Sequence, residues 1–306
     1  MFLIHVIPIS RGITKDRLSY FSKENLVPGT VVSVPIRKSL TPAIVLGSES
    51  VRDAKTRLRQ SPYPIKKVEH VREARVFSEA FMAAAEETAT YCASSLGALI
   101  NTLVPKAILS DPKKLEESVV SNEEGPALSH ERLVYQADRA ERFSTYRGIM
   151  REAFARKQSV FIVMPTMHDV EHFALQSEKG IRAYLFAFHS GLTKKQQRDR
   201  WNKALTEKHP VIIVGTGSFL SLPRADIKTI VLERESASAY KSPVRPYVDV
   251  RVFADTFARK LGARIIYADS FLRIETLYRY HHGVAAELSP LRFRPLSPAH
   301  QEVIDM

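Results

Sequence analysis

Leu133 to Tyr146, LVYQADRAERFSTY, sits where an alternation of strand and helix patterns places a phosphate-binding loop. Such a loop needs glycines, because backbone N–H groups must curl around phosphate through conformations that other residues disfavour, and it needs a hydroxyl to coordinate magnesium. This stretch contains no glycine and no lysine. A second set of candidate residues is cationic: Arg37, Lys38, Lys66 and Lys67 lie at or beside predicted strands near the N-terminus. Cations so placed suit a polyanion, since neutralising phosphates releases counterions and gives sequence-independent affinity. The competing reading is a solvated basic surface that serves solubility.

The charge balance favours the first reading. The chain has 45 Lys and Arg against 33 Asp and Glu, and its first 75 residues hold 14 against 6. A single cysteine, Cys92, excludes an internal disulfide and any multi-cysteine zinc site and points to a reducing, cytoplasmic compartment. The opening MFLIHVIPIS lacks a basic leader and a cleavage signature, and its apolar run is too short to span a bilayer, so no membrane role is expected.

The elements that must position these residues fall into two groups, as 306 residues allow. Strands are predicted at Phe2–Pro8, Thr30–Pro35, Ala43–Leu46 and Ile65–Val71. A helix follows from Phe77 with Ser78 as its cap, ended by Gly97, and a short helix over Leu99–Leu103 is stopped by Pro105. Residues 106–130 mix charge, Ser, Pro and Gly without apolar periodicity and read as a linker. Beyond it, strands at Arg132–Gln136, Ser159–Met164, Ala183–Ala187, Val211–Gly215, Thr229–Glu233 and Ala263–Ala268 alternate with helices at Arg142–Arg156, Asp169–Glu178, Lys194–Leu205 and Val248–Leu261. Near-continuous apolar strands such as VFIVM and VIIVG indicate a parallel sheet covered on both faces.

Several short motifs, taken in order, resemble the primosomal protein N′ (PriA) family of replication-restart helicases. They are RLSY (Arg17–Tyr20), PGTVVSVPIRK (Pro28–Lys38), IKKVEHV (Ile65–Val71) and TYCASSLGALINTLVP (Thr90–Pro105) in the first part. In the second they are FIVMPT, FHSGLTKKQQRDRW, IIVGTGSFLSLP, TIVLERESASAYKSP and LRIETLY. The resemblance implies an OB-like β-barrel over residues 1–105 that holds a DNA 3′ end, a linker over 106–130, and a RecA-like parallel α/β lobe over 131–306. Carried over by position, the DNA end meets Leu18, Ser19, Arg37 and Lys66, with Lys38 and Lys67 in support. An acidic residue is usual where Ser19 stands and a glycine where Arg37 stands, so general DNA binding is expected more than strict end selection.

In the phosphate-loop frame of the family, Gln136 and Glu141 replace glycines, Arg142 replaces the lysine and Phe143 replaces the hydroxyl residue. Where the family has D-E-x-H, this chain has Glu233, Arg234, Glu235 and Ser236, and Arg234 cannot act as a base. Glu233 retains the capacity to bind a cation. A third helicase motif is replaced by Ala268 to Leu272. ATP and magnesium, the family's cofactors, are therefore expected to be lost, leaving no catalytic residue and no metal site. His189 to Leu192 and Gly215-Thr216 are read as strand-to-helix turns permitted by glycine, or as loops that touch single-stranded DNA with Lys194, Lys195, Arg198 and Arg200.

The sequence ends at Met306, just after this lobe, so a second lobe and a cysteine-rich zinc insertion are expected to be absent. The expected function is a DNA-binding platform for replication restart, with forked or 3′-ended DNA as ligand. A replicative helicase, its loader or single-strand-binding protein are the partners that the resemblance implies. Two alternatives stand: a DNA-dependent ATPase fragment whose second lobe comes from elsewhere, and a protein-interaction scaffold.

Overall fold

The computed structural model describes residues 1–10, 17–37, 39–52, 65–68, 70–110, 114–116, 118, 130–177 and 179–291. Its N-terminal sheet has five strands, β1 (Phe2–Pro8), β2 (Leu18–Ser22), β3 (Thr30–Ile36), β4 (Ser39–Ser50) and β5 (His70–Arg75), in the order β2-β1-β4-β3-β5. All four pairings are antiparallel. The twelve-residue β4 pairs with β1 along one edge and β3 along the other, and register shifts at His5/Val6 and Thr30/Val31 bend the sheet. Just before β5, the chain runs beside β2: Phe21 N donates to Lys66 O at 2.9 Å and Val68 N donates to Phe21 O at 2.9 Å. The sheet is thus a curled, OB-like half-barrel. The predicted strand at Ile65–Val71 lies later, at His70–Arg75, and leaves only a bridge at Lys67.

Both faces of this sheet are apolar, which is why VVSVP reads as a near-continuous run. Ile4, Val6, Tyr20, Val32, Val34, Ala43 and Val45 fill the inside of the curl, with Leu18, Ile36 and Val68 packed against them. Ile7, Val31 and Ile44 face the other way, onto three helices. These are α1 (Glu79–Tyr91), capped by Ser78, α2 (Leu96–Leu103), capped by Ser95, and α3 (Lys106–Ser110), which begins inside the predicted linker. Gly97 does not end a helix; it lies within α2, where an added Cβ would stand 1.9 Å from the carbonyl oxygen of Pro8. The helix packs directly on backbone. That contact, absent from any local sequence signal, is what requires glycine there.

The second sheet is parallel throughout, in the order β12-β6-β11-β10-β7-β9-β8. Its strands are β6 (Arg132–Gln136), β7 (Ser159–Val163), β8 (Leu185–Phe188), β9 (Ile212–Gly215), β10 (Ile227–Glu233), β11 (Arg264–Asp269) and β12 (Ala286–Glu287). The helices between them are α4 (Arg139–Ala155), α5 (Met167–Gln176), α6 (Lys179–Arg182), α7 (Lys194–Thr206), α8 (Val250–Leu261) and α9 (Ile274–His281). This is a RecA-like arrangement. Alternate strand residues serve opposite cores: Phe161, Val163, Ile213, Ile230 and Leu232 face α7 and α8, and Val160, Ile162, Ile212, Val214 and Val231 face α4 and α5. Thr193 and Gln196 form a capping box at the start of α7.

The first of these cores continues into the helices behind the half-barrel. Phe81 of α1 meets Phe253 and Phe257 of α8 edge to face, with ring centroids 5.4 and 6.2 Å apart. Glu87 of α1 pairs with Arg259 and Lys260 of α8. One apolar core therefore joins the two sheets.

Candidate nucleic-acid interface and the Gln136–Phe143 segment

In the half-barrel, Leu18 and Ser19 open β2, and Ser19 stands opposite His5 of β1. Ser19 Oγ lies 3.1 Å from His5 Nδ1, and His5 Nε2 lies 3.0 Å from Glu49 Oε1. Tyr20, the next residue of β2, points into the curl and donates its phenol to Pro35 O at 3.2 Å. Ile36 pairs with Ser39, so Arg37 begins a two-residue turn between β3 and β4. It is exposed and holds φ at 53°, the left-handed region that favours glycine. Lys66 and Lys67 are exposed on the segment that runs beside β2, and Lys38 lies outside the described residues. Leu18, Ile36 and Val68 pack on one small core, which gathers β2, the Arg37 turn and the Lys66–Lys67 segment around it. His5 and Glu49 are additions that the sequence reading did not single out; a lone histidine in an apolar strand carries no such signal.

In the second sheet, the phosphate-loop frame is occupied by helix. β6 ends at Gln136, Asp138 caps α4 by accepting from Glu141 N at 2.9 Å, and α4 is helical from Arg139. Only Ala137 and Asp138 separate strand from helix, so Glu141, Arg142 and Phe143 belong to the first turns of α4. The helix starts three residues before the predicted Arg142 because Asp138 caps it ahead of Arg139.

Arg142 turns inward. Its guanidinium donates to both carboxylate oxygens of Glu233, at 2.9 and 2.7 Å, to Ala137 O at 2.6 Å and to Ser270 Oγ at 2.9 Å. The Tyr146 phenol donates to Glu233 Oε2 at 2.6 Å, and burial, then the Glu233 charge, pushes its pKa well up. Arg142, Tyr146 and Glu233 are each 1% exposed or less. Gln136 joins them through Ser270, donating to its carbonyl at 3.1 Å. Both oxygens of Glu233 are thus spoken for by an arginine and a tyrosine. These residues do not fit a magnesium nucleotide: no loop of backbone N–H groups is formed, and the carboxylate faces a guanidinium.

Phe143 and Tyr146 pack into the core beside Phe173, the Phe143 and Phe173 rings lying 4.9 Å apart. Arg234 is exposed, holds φ at 51° and pairs with Asp169 at 3.0 Å. Glu235, by contrast, is fully buried; one oxygen accepts from Arg273 N at 2.6 Å and the other has no partner. Burial pushes its carboxyl above the usual range, opposed by the Arg273 N–H. Tyr240 ties β7 to β10, its hydroxyl 2.8 Å from Val163 O and 2.6 Å from Glu233 O. Among the described residues no group of three or more His, Cys, Asp and Glu is disposed to hold a metal ion.

The glycine motifs at the other strand ends serve space rather than backbone freedom. A Cβ on Gly191 would meet Met167 Sδ at 2.4 Å, one on Gly215 the Phe188 carbonyl oxygen at 3.2 Å, and neither has positive φ. The nearby cations divide: Lys194 and Lys195 are exposed, whereas Arg200 donates to Ala187 O at 2.7 Å.

Residues 6–105 match the family described as 3'DNA-binding domain (3'BD), the PriA type of that domain. The similarity to that family model is confined to this N-terminal part. The replication restart protein PriA of Helicobacter pylori is 21% identical over 273 residues, 86% of this chain and 42% of that protein. Its counterpart in Synechocystis is 22% identical over 185 residues, 58% of this chain and 22% of the relative. That of Buchnera aphidicola is 23% identical over 137 residues, 45% of this chain and 19% of the relative. The chain spans less than half the length of these relatives. Among its described residues no helix is long and apolar enough to cross a membrane.

Proposed function

We propose that this chain binds DNA as a component of the replication-restart type and does so without hydrolysing ATP. In this reading residues 1–105 hold the DNA, residues 131–306 form a second unit, and residues 106–130 connect them. The observation that carries it is the match of residues 6–105 to a 3′ DNA-binding domain, with Arg37, Lys66 and Lys67 exposed around one core of that domain. Leu18 and Ser19 would meet the strand end, and Lys38 would add a phosphate contact. Forked or 3′-ended DNA is the proposed ligand.

The loss of ATPase chemistry is inferred from the Arg142–Glu233 pair. A guanidinium fixed on the carboxylate by two hydrogen bonds competes with any cation for the same oxygens, and desolvation makes that pair hard to exchange. With hydrolysis gone, the second unit would act as a platform for other replication proteins.

A paired titration tests both parts: a fluorescent fork with a free 3′ end, and a fluorescent ATP analogue with magnesium. DNA binding that weakens with salt and with Arg37→Ala or Lys66→Ala, together with no nucleotide binding, is the expected result. Tight nucleotide binding would instead make the chain part of a motor. Absence of salt-sensitive DNA binding would leave the scaffold.

A further inference from the structure

β8 is the end strand of the parallel sheet and pairs only with β9. Ile212 N donates to Tyr184 O at 2.9 Å and Thr216 N to Phe188 O at 3.3 Å, so the even-numbered residues here turn their backbone groups toward β9. By the same alternation Leu185 and Ala187 turn theirs outward. Arg200 of α7 donates to Ala187 O at 2.7 Å. That leaves Leu185 N–H, Leu185 C=O and Ala187 N–H without a partner among the described residues. Leu185 C=O and Ala187 N–H are the acceptor and donor that one residue of an added parallel strand spans. Such a residue stands beside Phe186, whose side chain faces α7.

This edge is the floor of a groove of about 800 Å³ whose walls are α5 and α7. The α7 wall brings Arg200 and Lys203. The α5 wall brings Leu175, which is 73% exposed, and at its foot Arg182 donates to Leu175 O at 3.3 Å. The one carboxylate that lines the groove, Glu171, lies 3.6 Å from His189 Nε2. Three cations against one carboxylate favour an acidic occupant. A second copy of the chain would bring the same cations and be repelled. A nucleic-acid backbone would neutralise them, but its phosphodiester oxygens only accept hydrogen bonds and cannot satisfy Leu185 O.

We propose that the β8 edge is a docking site for an extended peptide segment of a partner protein, added in parallel as an eighth strand, in which acidic side chains alternate with apolar ones. Successive side chains of a strand face opposite walls. The acidic set meets Arg200 and Lys203, and the apolar set covers Leu175. The acidic residues are also those whose backbone groups reach Leu185 O and Ala187 N–H, because they stand on the Phe186 side. Main-chain hydrogen bonds hold the segment, and the two walls select its alternation. The inference goes beyond DNA binding by residues 1–105 and does not depend on it.

The test uses the full chain without DNA and a fluorescent peptide of alternating Glu and Val with blocked ends. Saturable binding by anisotropy is expected, and nuclear magnetic resonance should show exchange of the Ala187 amide hydrogen slowed by about tenfold or more at saturation. Methylating the peptide's Glu nitrogens removes the donors aimed at β8 without changing charge, and should weaken binding about tenfold. Methylating the Val nitrogens should not. Lys203→Glu should weaken binding to a similar degree. So should Ala187→Pro, which removes the outward N–H and leaves the β9 ladder its own groups. Absence of saturable binding, equal binding of the Glu-methylated peptide, or indifference to both Lys203→Glu and Ala187→Pro overturns the proposal. The fork titration repeated on Lys203→Glu keeps the two readings apart: lost peptide binding with unchanged DNA affinity supports a separate peptide site, and lost DNA affinity with no peptide binding makes the groove a nucleic-acid surface and overturns it.

Discussion

Arg142 and Glu233 meet across the ends of α4's first turn and β10, joined by two hydrogen bonds of 2.9 and 2.7 Å and sealed from solvent. A buried pair of this kind is stable as a pair and unstable when halved, because the survivor is left as an uncompensated charge. Arg142→Ala should cost about 3–5 kcal/mol in urea denaturation. Replacing the whole group, Arg142→Met with Glu233→Leu and Tyr146→Phe, should recover most of that loss. If Arg142→Ala instead left stability unchanged and admitted magnesium nucleotide, the pair would be a gate and not a structural replacement.

The buried Glu235 makes stability depend on pH in a direction that can be worked out. Its folded pKa is raised, by burial first, above the ordinary 4.5. The folded state therefore holds the proton over a range where the unfolded chain has released it, so Glu235 contributes stability below about pH 4.5 that is lost as pH rises through the folded value. Glu235→Gln, neutral at all pH, should remove this part of the decline. Thermal melts of both proteins across pH 4 to 8 would show it as a difference that widens with pH; parallel profiles would mean that Glu235 does not titrate in that window.

What the sequence disclosed and what it hid follow from the range of the interactions involved. The alternation in VFIVM and VIIVG is local, and the parallel two-faced sheet could be read from it. So could the cap Ser78, which acts within one turn. The strand β5 was displaced because its pairing partner β3 is some forty residues away and nothing local marks its register. The absence of glycine from Gln136–Phe143 was visible, but not the contacts made there: Arg142 finds Glu233 91 residues further on, and Tyr146 finds it at 87. His5, Ser19 and Glu49 come together from three strands for the same reason.

Arg37 separates two effects that usually travel together. Its backbone sits at φ 53°, which costs a non-glycine residue about 1–2 kcal/mol, while its side chain is an exposed cation. Arg37→Gly should therefore raise stability by up to about 1 kcal/mol and at the same time weaken DNA binding. The log–log salt dependence of affinity should flatten by about 0.7 to 0.9, the share of one phosphate contact. Chemical denaturation and salt titrations on the same preparation check both signs; equal affinity with an unaltered salt slope would remove Arg37 from the DNA surface.

Phe81 tests how far the two sheets depend on each other. Its ring stacks on Phe77 at 5.2 Å within the helices behind the half-barrel and meets Phe253 and Phe257 of α8 on the other side. It is 1% exposed, so truncation leaves a cavity at the point where the shared core crosses between the two sheets. Phe81→Ala should cost about 3–5 kcal/mol. Because α1 is anchored on both sides, the unmodified chain should unfold in one transition, with DNA affinity and the near-ultraviolet signal of Trp201, buried in α7, disappearing together. Phe81→Ala should lower that midpoint as a unit, or divide it in two with DNA binding retained to the higher step if the half-barrel holds its shape alone. A variant that melted like the original would show that the aromatic cluster transmits nothing between the two sheets, and that the DNA surface owes its order to the half-barrel core around Val32, Val34 and Ala43.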